Sequence, residues 1–264
     1  MKKFLYETHL HTCQGSACGR SEGKLYPRLY KDLGYDGIFI TDHFFGGNTA
    51  APREGDWKHR VDVYMSGYED ARNEGEKIGL KVFFGIEQGF GPDEVLVYGL
   101  DREYLYEHPD IEKWSRAELY RHAHEAGAAV VQAHPFRERG YISEVKLSPY
   151  CVDAVEAVNL GNMPYMDLTD TLYGKTLNLP LTAGSDIHKA DNVRPGKASA
   201  VELTEELHSA MDYANYLLAR KPITLHYPNN RFANQPITNP HTPVVIFDQD
   251  DQRKEFVWEE WIRE

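Results

Sequence analysis

No run of apolar residues in the sequence approaches the ~20 that a membrane-crossing helix requires, so a helical membrane protein is not expected. The opening, MKKFLYETHLH, meets charge too early for a secretory signal, which makes the cytoplasm the expected compartment. Cysteine is scarce. Cys13, Cys18 and Cys151 make an odd count without framework spacing, which fits reduced thiols better than disulfides. Basic charge is also short: 29 lysines and arginines face 41 acids, for a net charge of −12. That balance argues against a surface that neutralises a nucleic-acid backbone, and no stable nucleic-acid complex is expected. No GxSxG, P-loop or HExxH motif is present to suggest a side-chain nucleophile, a phosphate cradle or a helical zinc site.

What is present is an alternation of short apolar runs and amphipathic stretches. The runs DGIFIT, LKVFFGIE, EVLVYGL, AAVVQAH, VDAVEAV and LPLTAGSD have the length of buried strands. Helical patterns lie over 24–33, 61–78, 116–125, 166–177 and 205–220, several closed by the glycine that a helix C-terminus prefers. Strands alternating with helices imply an α/β domain with a largely parallel sheet, open or closed into a barrel. The stretch PNNRFANQPITNPHTP and the acidic, tryptophan-bearing end read differently, which divides the chain into a main domain over 1–221 and an appendage over 222–264 packed on it.

Metal-competent side chains recur at the C-terminal ends of these strands, where α/β folds build their sites. His9 and His11 belong to the first strand. Asp42 and His43 follow GIFIT, Glu87 follows VFFGI, His134 follows VVQA, and Asp186 with His188 follows LTAGS. Strand residues two apart share a face, so His9 and His11 can reach one point, and so can Asp186 and His188. Each motif alone has an ordinary reading: two solvated histidines, a helix cap in TDH, a proline turn in AHP. Their joint placement at strand ends favours a cation, which makes a cluster of imidazoles and carboxylates affordable. Mixed ligands of this kind suit zinc, manganese or iron.

ETHLHT, ITDH, GIE, AHP and GSDIH, in this order, resemble the polymerase and histidinol phosphatase (PHP) family of metal-dependent phosphoesterases. The resemblance implies a distorted (β/α) barrel of about seven strands with two or three divalent metal ions at its C-terminal mouth. It further implies that His9, His11 and Asp186 bind a first metal, that Glu87 bridges to a second held by His134, and that His43 and His188 hold a third. Asp42 is expected to orient a neighbour rather than to bind. Two positions depart from the family pattern. Leu96 stands where another histidine is expected, which leaves the second metal short of a ligand unless Asp93 or Glu94 reaches in. Cys18 stands nearest to a missing third-metal ligand, and a thiolate there would favour zinc or iron over manganese.

Adjacent divalent metals lower the pKa of a bridging water and neutralise phosphate oxygens, so hydrolysis by in-line attack is the implied reaction. Glu87, Asp186 and His43 are the residues expected to carry catalysis. Arg137, Arg194 and Arg20 are the candidates for gripping phosphate, arginine being suited to a bidentate hold. The expected substrate is a small phosphomonoester. The alternatives are a phosphodiesterase or exonuclease on nucleotide ends, whose bases could stack on aromatics of 44–60, and a metal-stabilised binding module. An amidohydrolase would usually want a lysine where Glu87 stands.

Overall fold

The computed structural model describes residues 2–262. In chain order the elements are β1 (Phe4–Glu7), α1 (Tyr26–Asp32), β2 (Gly37–Ile40), α2 (Trp57–Ile78), β3 (Lys81–Gly89), β4 (Glu94–Tyr98), α3 (Arg102–Glu107), α4 (Arg116–Glu125), β5 (Ala129–Ala133) and β6 (Val145–Leu147). They continue with β7 (Ala154–Asn159), α5 (Pro164–Thr176), β8 (Leu181–Gly184), β9 (Ala200–Leu203), α6 (Ala210–Leu218), β10 (Thr224–His226), β11 (Val244–Phe247), β12 (Arg253–Glu255) and α7 (Trp258–Trp261). No helix among the described residues is long and apolar enough to cross a membrane.

Local chemistry explains the boundaries. Asp56 caps α2 through His59 N–H, and Gly79, at φ 70°, ends it in a left-handed turn that a side chain would strain. Ser115 with Glu118 and Ser209 with Asp212 form capping boxes at the starts of α4 and α6. Strands β2, β5 and β7 are buried along their whole length, as strands covered on both faces must be.

One sheet of nine strands runs in the order β10-β9-β1-β2-β3-β4-β5-β7-β8. The pairs β1–β2, β2–β3, β5–β7 and β7–β8 are parallel. Strand β4 is antiparallel to both its neighbours, β3 and β5. The extension of β1 at Leu10 bridges the extension of β8 at Ile187 in parallel, which draws the two ends of the sheet together into a nearly closed barrel. About seven strands were expected. The larger number arises because β9 adds antiparallel to the edge of β1 and β10 adds antiparallel to β9.

The chain after Pro222 contributes to both sheets. Strand β10 joins the barrel sheet through β9, whereas β11 pairs in parallel with β6 and carries β12, forming a separate three-stranded sheet. Phe256, Trp258 and Trp261 pack on a cluster that includes Phe136 and Tyr173. The aromatics of 44–60 do not form a substrate cover: Phe44 and Phe45 are buried in a core cluster with Tyr64, and Trp57 opens α2 and packs against it. Burial of large aromatic rings outweighs presenting them to solvent.

Candidate metal centre

The HLH segment is pinned before its imidazoles are considered. Glu7 is fully buried, accepts the N–H groups of His9 (3.0 Å) and Ser185 (2.9 Å), and takes the Tyr30 hydroxyl proton at 2.9 Å. Burial raises its pKa to about 7. Tyr98 Oη donates to Thr8 O at 2.8 Å, and Tyr26 Oη to His11 O at 2.9 Å. His9 and His11 therefore leave β1 on a fixed path into the mouth of the barrel.

Glu87 occupies the centre of the cluster. Its Oε1 lies 3.1 Å from His9 Nε2 and 3.1 Å from His134 Nε2, and its Oε2 lies 3.4 Å from His11 Nε2 and 2.7 Å from His43 Nδ1. Asp186 Oδ1 stands 3.1 Å from His11 Nε2 and 3.5 Å from His188 Nδ1. Burial alone would raise the Glu87 carboxyl, but His9 and His43 hold it well below the usual range. The same holds for Asp186, where Arg137 and His9 oppose burial. His134 and Asp186 both have positive φ, 31° and 52°, a strained backbone that recurs at functional sites.

The ring protons can be assigned from their partners. His9 Nδ1 donates to Glu156 Oε1 at 2.9 Å. His11 Nδ1 meets Ser16 Oγ at 3.0 Å, and since Ser16 gives its own proton to Asp42 at 2.7 Å, the imidazole is the donor. With both rings neutral, the lone pairs of His9 Nε2 and His11 Nε2 would face each other at 3.1 Å. A positive charge, either a proton on His9 or a cation, has to lie between them. His43 Nδ1 and Glu87 Oε2 give the same indication. They are 2.7 Å apart, yet both are buried and neither makes a hydrogen bond of acceptable angle. An off-axis cation would satisfy both.

Among the described residues, potential ligand atoms lie within 4.8 Å of one another in four groups: His9, His11 and Asp186; His9, Glu87 and His134; His43, Glu87 and Glu94; His11, His43 and His188. Glu94 reaches in, with Oε1 3.3 Å from His43 Nδ1 and Oε2 3.5 Å from His134 Nε2. Leu96 is buried in the barrel core beneath, and Asp93 turns away to Arg116 at 2.7 Å. Cys18 shares a cavity with His43 and His188. Burial would raise its thiol, but hydrogen bonds with His188 and His43 bring it to about 6. Asp42 lies behind the site, holding Thr12 N–H at 2.6 Å and Ser16 at 2.7 Å.

A cavity of about 700 Å³ opens over His43, Glu94, Asp186 and His188, and Arg137 lines it. Arg137 Nη2 binds Asp186 Oδ2 at 2.6 Å and Asn159 Oδ1 at 2.9 Å, and its Nε binds Asn162 Oδ1 at 2.8 Å. A second cleft of about 650 Å³ adjoins the first at Asp186 and His188 and contains Arg194. Arg20 is different: its backbone N–H donates to His188 O at 2.7 Å, and its side chain is exposed and lines neither cavity.

Glu156, Asn159, Asn162 and Arg231, which support this arrangement, belong to none of the strand-end motifs. Glu156 had a visible signal, an acid in the middle of the apolar strand VDAVEAV. Arg231, in an Asn- and Pro-rich stretch, had none.

Solved structures share this architecture. A two-domain protein of Bacteroides vulgatus containing a predicted PHP-like metal-dependent phosphoesterase aligns over 86% of this chain with a TM-score of 0.61 and 17% identity. The fold is that of the PHP-like phosphoesterases. A Bifidobacterium adolescentis protein assigned as a metal-dependent phosphoesterase aligns over 81% of the chain with a TM-score of 0.52 and 16% identity. The lesion-specific endonuclease EndoQ of Pyrococcus furiosus aligns over 85% with a TM-score of 0.50 and 11% identity. This chain spans 65%, 96% and 58% of the three, in that order. No family model and no curated protein matches the sequence. In this chain the strand ends carrying His9, Glu87, His134 and Asp186 converge on one mouth.

Proposed function

We propose that this protein belongs to the PHP family and is a metal-dependent phosphoesterase that hydrolyses a small phosphomonoester by in-line attack of water. The observation that carries this reading is the convergence of five imidazoles with Glu87, Glu94 and Asp186, beside an arginine whose fork is only partly used. His9, His11 and Asp186 would hold one divalent ion and Glu87, His134 and Glu94 a second, with His43, His188 and Cys18 placed for a third. Zinc, manganese and iron all suit these donors. Bound there, such ions supply Lewis-acid charge and an activated water.

The chain's own residues orient and restrain. Glu156 fixes the His9 ring, and Ser16 fixes the His11 ring, so that each presents Nε2. Arg137 keeps Nη1 free of hydrogen bonds to any described residue while Nε and Nη2 are tied down, which leaves two N–H groups to take phosphate oxygens. Burial opposes its charge, but Asp186 and the nearby glutamates keep it protonated.

A second reading, a phosphodiesterase acting on nucleotide ends, is favoured by Tyr141. This ring is 80% exposed and lines the same cavity as Arg139, an arrangement on which a base could stack. The test is hydrolysis by zinc- or manganese-loaded protein, read as inorganic phosphate released from phosphomonoesters and as mononucleotides and shortened strands released from oligonucleotides, with Glu87→Ala and His9→Ala as controls. Monoester turnover abolished in both variants supports the first reading. Turnover of oligonucleotides alone supports the second, and silence throughout refutes both.

A further inference from the structure

We propose that Arg231, on the segment after β10, is a positioning residue for Arg137 and makes that segment part of the substrate site. This inference rests on the reading that Arg137 grips phosphate.

The segment Pro228–Gln235 has no regular structure of its own, yet Arg231 turns inward from it and its side chain is almost entirely buried. Its Nε meets Asp167 Oδ2 at 2.5 Å, and its Nη2 donates to Asn159 O at 2.6 Å and Asn162 O at 3.1 Å. These two asparagines are the ones whose side-chain oxygens hold Arg137. Arg231 thus grips by their backbone the pair that Arg137 is gripped by. Asp167 adds a further tie, because its Oδ1 accepts from Asn162 Nδ2 at 3.2 Å while its Oδ2 accepts Asn159 N–H at 3.2 Å.

An arginine fork suits this task because it is planar and reaches a carboxylate and two carbonyls at once, whereas an ammonium is a single point. Pro228, Asn230 and Arg231 line the cleft that adjoins the metal centre at Asp186 and His188. The loop over 159–162 is therefore held between two arginines, one facing the cavity and one supplied by a segment far along the chain. A carboxylate buried as Asp167 is needs a cationic partner. The N–H groups of the buried guanidinium that Asp167 does not take need acceptors too, and those they find are the Asn159 and Asn162 carbonyls, which ties the charge pair to the loop that holds Arg137.

The test uses metal-loaded full-length protein and inorganic phosphate as the probe, with binding measured by calorimetry and metal content checked in every variant. Five proteins are compared: wild type, R137M, D167N, R231M made together with D167N so that no buried carboxylate is left unpaired, and the combination of all three substitutions; because Asp167 itself holds Asn159 and Asn162, the loss due to Arg231 is read relative to D167N. R137M should weaken phosphate about tenfold or more, as loss of charge-assisted hydrogen bonds from Nη1 does. R231M/D167N should weaken it about five- to tenfold relative to D167N at unchanged metal content, and the combination should bind within about twofold of R137M alone, the mark of residues acting through one group. Phosphate binding in R231M/D167N unchanged from D167N, or losses that multiply in the combination, overturns the inference. Unchanged binding in R137M instead overturns the reading of Arg137 on which it rests. R231K keeps the charge and loses the fork. Should R231M/D167N fail to fold, a loss of about threefold or more in R231K supports the inference, and wild-type affinity overturns it.

Discussion

Replacing Glu156 by glutamine should weaken the metal centre although Glu156 touches no ion. The side chain is fully buried on β7, with Oε1 2.9 Å from His9 Nδ1 and Oε2 accepting from His134 N at 3.1 Å and Asn159 Nδ2 at 2.9 Å. Glutamine keeps the volume but turns one oxygen into a donor. If its oxygen faces His9, its NH₂ confronts two other donors. If its NH₂ faces His9, it takes the Nδ1 lone pair and moves the ring proton to Nε2, the atom aimed at Glu87 and His11. Losing such an orienting partner commonly costs 10–100-fold in metal affinity, or about 1.4–2.7 kcal/mol. An ion present at about 100 times its Kd stabilises a fold by about 2.7 kcal/mol, and a tenfold weaker site keeps only about 1.4. For a chain of this size the difference corresponds to about 3–5 °C of the metal-induced rise in Tm. The assay is zinc or manganese titration into chelator-stripped protein, by calorimetry and thermal unfolding in parallel. An E156Q Kd within twofold of wild type would refute the tautomer argument.

Further outcomes follow from the same geometry. Burial would lower the His9 pKa, but Glu156, Glu87 and Asp186 raise it well above its ordinary value, and carboxylates do the same for His43. Both rings then hold protons at neutral pH that a metal must displace, so affinity should climb with pH. Titrations in buffers of different ionisation heat should register the released protons, and no release at pH 7 would contradict the assignment. Glu94→Gln should reduce metal affinity or stoichiometry while Leu96→Met leaves both unchanged, as measured by metal analysis after dialysis. Phe44→Ala should destabilise by about 3–5 kcal/mol in denaturant unfolding, as loss of a core ring does, and should leave the preference among phosphate esters unaltered. Arg231→Met alone has a pH signature. Burial raises the Asp167 pKa to about 6 even with Arg231 opposing, so without that arginine it climbs further. The charged carboxylate carries the cost, which is full above its folded pKa and vanishes as acid protonates it. The Tm deficit should therefore be large at pH 8, where a broken buried pair costs about 3–5 kcal/mol, and small at pH 5. A deficit that grows on acidification would reverse the sign and refute the pairing.

The sequence by itself determined the strands GIFI, VFFGI, AVVQA and LTAG and the ligand-type residues at their ends, because apolar runs and terminal polar residues are local signals. It also determined the ends of α1, α2, α4, α5 and α6 to within about two residues, where glycines and polar residues act locally, but not the starts of α2 and α6, and it did not signal the short helices α3 and α7. Only the tertiary structure decided the direction in which strands pair. Strand β4 runs antiparallel, so its first residue, Glu94, lies at the mouth and Leu96 lies beneath it in the core, an outcome no hydrophobic period can encode. Tertiary structure also decided that Phe44 and Phe45 are core, since burial depends on which face of α2 arrives opposite them. Arg231 is the extreme case: its partner Asp167 lies 64 positions away in sequence, and that pairing exists only once the barrel brings the two together.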